Sequence, residues 1–117
     1  MLKIIEKDNR KLALLTLSGD PLGEPDAELV RQKIKAIIQS KIPHVIFEMS
    51  RVRHINSAGL GGLVMAQVSM LNAGGTVQFT NVVENVGKVF GITHLDRVFE
   101  IVPTVEEAVR EWESGSK

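Results

Sequence analysis

The densest cluster of chemistry-bearing residues is Ser50-Arg51-Val52-Arg53-His54-Ile55-Asn56-Ser57-Ala58-Gly59-Leu60-Gly61-Gly62. Ser57 falls just before a run of helical character, at its N-cap position, where a hydroxyl accepts a bond from a free backbone N–H. On one reading the serine is a cap and nothing more. On the other it is a modification site. A helix N-terminus favours an anion by roughly 0.3–1 kcal/mol at an exposed site, and a phosphate on Ser57 would bring about −1.5 to −2 charges. Arg51 and Arg53 of the same loop would pair with it, or remain solvated.

Other chemistries find little support. The three histidines, His44, His54 and His94, stand alone, with no nucleophile or metal-ligand spacing around them. The chain has no cysteine, so disulfides, thiolate nucleophiles and thiolate metal sites are excluded, and a cytoplasmic home is the default. Gly59, Gly61 and Gly62 lie inside the predicted helix rather than before it, and no G-x-x-x-x-G-K-[S/T] occurs, which argues against a nucleotide loop. No catalytic set emerges, and no cofactor or metal is expected. A small-ligand or enzymatic anion site at the helix N-terminus is the minority alternative.

Strands and helices alternate along the chain. Lys3–Lys7 and Leu12–Leu17 read as a hairpin around Asp8-Asn9-Arg10. Pro25 suits a first helical turn, and Val30, Ile34, Ile37 and Ile38 form an apolar stripe over residues 26–39. Residues 44–49 read as a buried strand. The second helix runs from about Ala58 to Leu71 and is stopped by Asn72-Ala73-Gly74-Gly75. A strand at 76–80, a short helix at 84–90, a strand at Val98–Ile101 and a capping box at Thr104 opening a last helix complete the order ββαβαβαβα. Trp112 reads as a core anchor. This order implies an α/β layer with a mostly parallel sheet and one antiparallel edge, although the pattern fixes neither strand order nor oligomeric state. The domain is expected to span residues 1–113, with a flexible tail at 114–117.

The second helix has an unusual outer surface. With Leu60 at zero and about 100° per residue, Leu63, Val64, Val68, Met70 and Leu71 share its apolar side. Gly61, Gly62, Met65, Ala66 and Ser69 occupy the opposite arc, where a surface helix normally carries Lys and Glu. Such a face admits close approach, by a partner or by another element of the same chain. Gln67 falls within the apolar stripe, where burial would require partners.

The whole chain has 117 residues, enough for one domain, and fourteen basic groups balance fourteen acidic ones. That balance argues against non-specific nucleic-acid binding. It is uneven along the chain, because no charged residue occurs between His54 and Glu84. A membrane span is excluded for this window: its best apolar stretch is about 12 residues, against the roughly 20 required. No signal peptide is evident in MLKIIEKDNR.

From Phe47 to Gly61 the sequence resembles the STAS family, the anti-sigma factor antagonists of bacteria. In that family a strand with an acidic-hydrophobic-Ser ending leads, after a short loop, to Asp-Ser-Ser/Thr/Ala-Gly-Leu-Gly. The likeness extends to the Ser18-Gly19 turn, the Gly74-Gly75 break and Gly91-Ile92-Thr93-His94-Leu95-Asp96-Arg97-Val98-Phe99. It implies a single STAS-type domain with a mixed, mostly parallel sheet, an antiparallel N-terminal hairpin strand and about four helices. It further implies a non-enzymatic anti-sigma factor antagonist in a partner-switching pathway. Its partner would be an anti-sigma factor that is also a serine kinase, its phosphoacceptor Ser57, and a serine phosphatase would reset it. Asn56, Ala58, Gly59, Gly61, Gly62, Met65, Ala66, Ser69, Arg51 and Arg53 would then meet the partner. Two positions depart from the family pattern: Asn56 stands for the usual Asp, and Leu22 for an acidic residue in the loop after Gly19. Asn56 favours the alternative of a STAS scaffold, or a subunit of a sensory or lipid-transport complex, that works without phosphorylation.

Overall fold

A computed structural model describes residues 2–7 and 9–115. The chain opens with β1 (Leu2–Lys7) and β2 (Arg10–Gly19), paired antiparallel from Leu2 opposite Leu15 to Lys7 opposite Arg10. Asn9 takes the left-handed φ of 65° in the turn, a conformation asparagine tolerates well; Asp8, the first residue of the expected turn, lies outside the described residues. α1 (Glu24–Gln39) follows, then β3 (His44–Val52), α2 (Ser57–Asn72), β4 (Thr76–Thr80), α3 (Glu84–Ile92), β5 (Ile101–Val102) and α4 (Val105–Gly115). The sheet order is β1-β2-β3-β4-β5, with every pairing after the hairpin parallel. The α/β class, the hairpin and the four helices agree with the expectation from sequence.

Strand alternation divides the core between the two faces of the sheet. Ala13, Leu15, Val45, Phe47, Val77 and Phe79 point to one face, where they meet Val30, Ile34 and Ile37 of α1, Leu63 and Met70 of α2, and Phe90 of α3. Leu12, Ile46 and Val102 point to the other, beneath Ala108 and Trp112 of α4. Trp112 is thus the anchor its position suggested, and it stacks on His44 at 5.9 Å between centroids.

Two boundaries differ from the sequence reading. The strand expected at Val98–Ile101 is displaced: Leu95–Arg97 form a 3-10 turn entered through His94 at φ 61°, and pairing with β4 begins only at Ile101. Phe99 is withdrawn from the sheet because it packs between Phe79 and Phe90, at 4.2 and 5.3 Å. Ser114 and Gly115, expected in a loose tail, form the last residues of α4, where the Ser114 hydroxyl bonds to the Arg110 carbonyl at 2.9 Å. Ser116 and Lys117 lie outside the described residues.

Candidate functional site

The loops leaving β2 and β3 meet at one end of the sheet and position the start of α2. Leu22 donates its N–H to the His54 carbonyl at 2.9 Å and accepts the Asn56 N–H at 3.2 Å, a single β-bridge between the two loops. The Asp20 carboxylate meets His54 Nδ1 at 2.5 Å across the same junction. Gly59 closes the assembly. A Cβ there would lie 2.1 Å from the Leu22 carbonyl oxygen, so only glycine allows α2 this close to the first loop.

The cap of α2 is Asn56, not Ser57. Its backbone is extended and its Oδ1 accepts the Gly59 N–H at 3.0 Å. Asparagine caps at least as well as serine, and the amide has room because Gly23 faces it: a Cβ on Gly23 would stand 2.8 Å from Asn56 Nδ2. Ser57 becomes the first residue of the helix, exposed to solvent. Its hydroxyl is therefore not committed to capping, and a group attached to it would sit beside the unfilled N–H groups of the first turn.

Of the two arginines assigned to the loop, Arg51 lies in β3 opposite Ser18, because the strand runs to Val52. Arg53 remains in the loop, and both side chains are exposed.

The outer arc expected on α2 is only half available. Gly61 and Met65 are exposed, Met65 by 56%. Ala66, expected on that arc, is buried at 3%, and Gly62 is packed against Ala27, whose Cβ would lie 2.8 Å from a Cβ at position 62. α1 of the same chain covers this side of α2. The helix is consequently turned relative to the wheel, and Val68 and Leu71, expected inside, are exposed. Gln67 is buried, donates Nε2 to the Val98 carbonyl at 3.0 Å, and leaves Oε1 without a partner among the described residues.

Two shallow grooves run between α1 and α2. One, of about 270 Å³, lies at the Ser57 end among Ala58, Gly61, Gly62 and Met65. The next, of about 320 Å³, is lined by Ile34, Ile38, Met65, Ala66 and Ser69. Glu24, Glu28, Arg31 and Lys35 of α1 supply the charge along both. These rim residues and the Asp20–His54 pair escaped the sequence reading. The spacing of the α1 charges was visible in the sequence; the loop-to-loop pair, 34 residues apart, carried no local signal.

The site is thus an exposed serine on the first turn of a charge-free helix, at one end of an α/β sheet. The STAS domain model matches residues 3–108, and the chain belongs to that family. A TM1081 homolog of Thermotoga neapolitana, whose name proposes an anti-sigma factor antagonist, is 34% identical over 67 residues, a match covering 57% of this chain and 59% of that protein's length. The TM1081 crystal structure from Thermotoga maritima superposes with a TM-score of 0.79 at 24% identity, over 94% of this chain and 92% of that one. SpoIIAA, described as an anti-sigma factor antagonist, superposes in its unphosphorylated form with a TM-score of 0.76 at 21% identity, over 100% and 99%. Among the described residues no helix is long and apolar enough to cross a membrane.

Proposed function

We propose that this chain is an anti-sigma factor antagonist that binds an anti-sigma factor with serine-kinase activity and is switched by reversible phosphorylation of Ser57. The carrying observation is the position of Ser57: first residue of α2, exposed, and released from capping by Asn56. The same end of α2 opens onto the groove beside Ala58, Gly61 and Met65, where α2 offers a partner uncharged, mostly small side chains edged by Glu24, Glu28 and Arg31 of α1. A phosphate there would place about two negative charges at the edge of that surface and oppose docking of an acidic or desolvated partner. SpoIIAA has also been solved in a phosphorylated form, which supports the reading by analogy.

The test is incubation with the cognate kinase and ATP, then peptide mass spectrometry. One phosphate on Ser57, and none on a Ser57→Ala chain, is the expected result. Phosphate on another residue, or on none, would contradict the switch. A second reading has one observation in its favour: Asn56 supplies a neutral cap where the family pattern has an acid beside the serine. On that reading the chain is a phosphorylation-independent scaffold, and a Ser57→Ala chain would behave as wild type in cells.

A further inference from the structure

The groove charges come from α1 alone, since α2 carries none. Glu24, Glu28, Arg31 and Lys35 are spaced four, three and four residues apart, which keeps them on one face of the helix. Their signs run minus, minus, plus, plus. The stripe is symmetric about a midpoint between Leu29 and Val30. An antiparallel copy therefore sets Glu24 against Lys35 and Glu28 against Arg31, and each pair recurs by symmetry. Met65 and Arg31 belong to both grooves, so the exposed Met65 lies near the centre of the charged stripe. Among the described residues of one chain only the inner charges of this stripe meet, Glu28 with Arg31 at 3.1 Å. Among the described residues Glu24 and Lys35 have no ion-pair partner.

We propose that the α1–α2 face is the contact of a two-fold dimer of this chain, with α1 antiparallel to its copy and the two Met65 side chains near the axis. An isologous contact requires a self-complementary surface, and this charge order is one. The apolar groove supplies the buried centre, and the charges fix the register. The dimer covers Ala58, Gly61 and Met65, so it excludes the partner complex proposed above. It rests on α1 and not on the fate of Ser57.

Sedimentation velocity from about 10 to about 500 µM, the range where weak specific association shows, tests it. In low salt the mass should climb from 12.9 kDa toward twice that value, and about 0.5 M salt should lower it by screening. Lys35→Glu alone sets like charges against Glu24 of the copy, and Glu24→Lys alone sets like charges against Lys35 of the copy. Each single variant should stay monomeric. Mixing the two restores opposite charges at both outer pairs and should yield a one-to-one heterodimer, and the double variant should dimerise alone. Matched thermal unfolding shows that the variants are folded. A wild-type chain that is monomeric throughout, single variants that dimerise as wild type does, or a mixture that stays monomeric would each overturn the proposal.

Discussion

Gly59 and Gly61 lie two residues apart on α2 under opposite constraints. A Cβ at 59 runs into the Leu22 carbonyl, whereas one at 61 meets nothing within 4 Å. Gly59→Ala should cost about 2–3 kcal/mol, as overpacking against backbone does. Gly61→Ala should stabilise by up to about 1 kcal/mol through helix propensity. Urea unfolding of the two variants checks both signs, and a Gly61→Ala chain that is stable but weak in partner binding would separate docking from folding. His44 is a second residue whose role only the structure shows. Gln78 donates Nε2 to Glu100 at 2.9 Å, so its Oε1 accepts from His44 Nε2 at 2.6 Å, and Nδ1 is left to accept the Thr76 hydroxyl at 2.6 Å. The imidazole is neutral, and burial holds its pKa below the ordinary 6.5 despite Gln78 and Glu100. The unfolded chain therefore binds more protons than the folded one as pH falls below about 6.5, and stability drops in that window. Glu111 is shifted the opposite way, upward, by desolvation and by Glu100, so the wild-type slope is best compared with that of His44→Asn. The variant should lose the histidine's contribution to the slope between pH 7 and 5.5. It should also lose about 1–3 kcal/mol at pH 7 from the broken network. Equal slopes would remove His44 from the account. In the sequence His44 was only one of three isolated histidines, because its partners lie 32 and 34 residues away.

At the scale of elements, the α2 start is a joint product of two loops. Asn56→Ala should cost about 1 kcal/mol by loss of the cap, while Asn56→Asp should stay within about 0.5 kcal/mol of wild type, both read by thermal unfolding. If Asn56→Ala were silent, the capping assignment would be wrong. Local signals served well where they were strong: Pro25 in the first turn of α1, the Thr104 hydroxyl on the Glu107 N–H at 3.2 Å, and the alternation of β4 all stand as read. The rotation of α2 was not legible, because a helix of glycine, alanine and leucine gives no sharp polar face to orient it. Its orientation comes from α1, where Ala27 accepts Gly62. β5 failed for a related reason: Val98 to Ile101 is apolar enough for a strand, but Phe99 is claimed by the aromatic cluster of the first core.

At the scale of the molecule, the zero net charge is a balance of charged flanks around an uncharged middle that opens with Ser57 and α2. The topology folds the flank charges of α1 back onto that middle, so the neutral helix is edged by charge of both signs. The family motif made the serine legible in sequence; the groove required α1 and α2 to lie side by side. On the proposed function, phosphate on Ser57 weakens the hold on the proposed anti-sigma partner. Calorimetric titration of that partner with the unmodified chain, and with one carrying phosphoserine at 57, tests it most directly. The account predicts at least a tenfold loss of affinity, about 1.4 kcal/mol, on phosphorylation. Equal affinities for the two forms would contradict it.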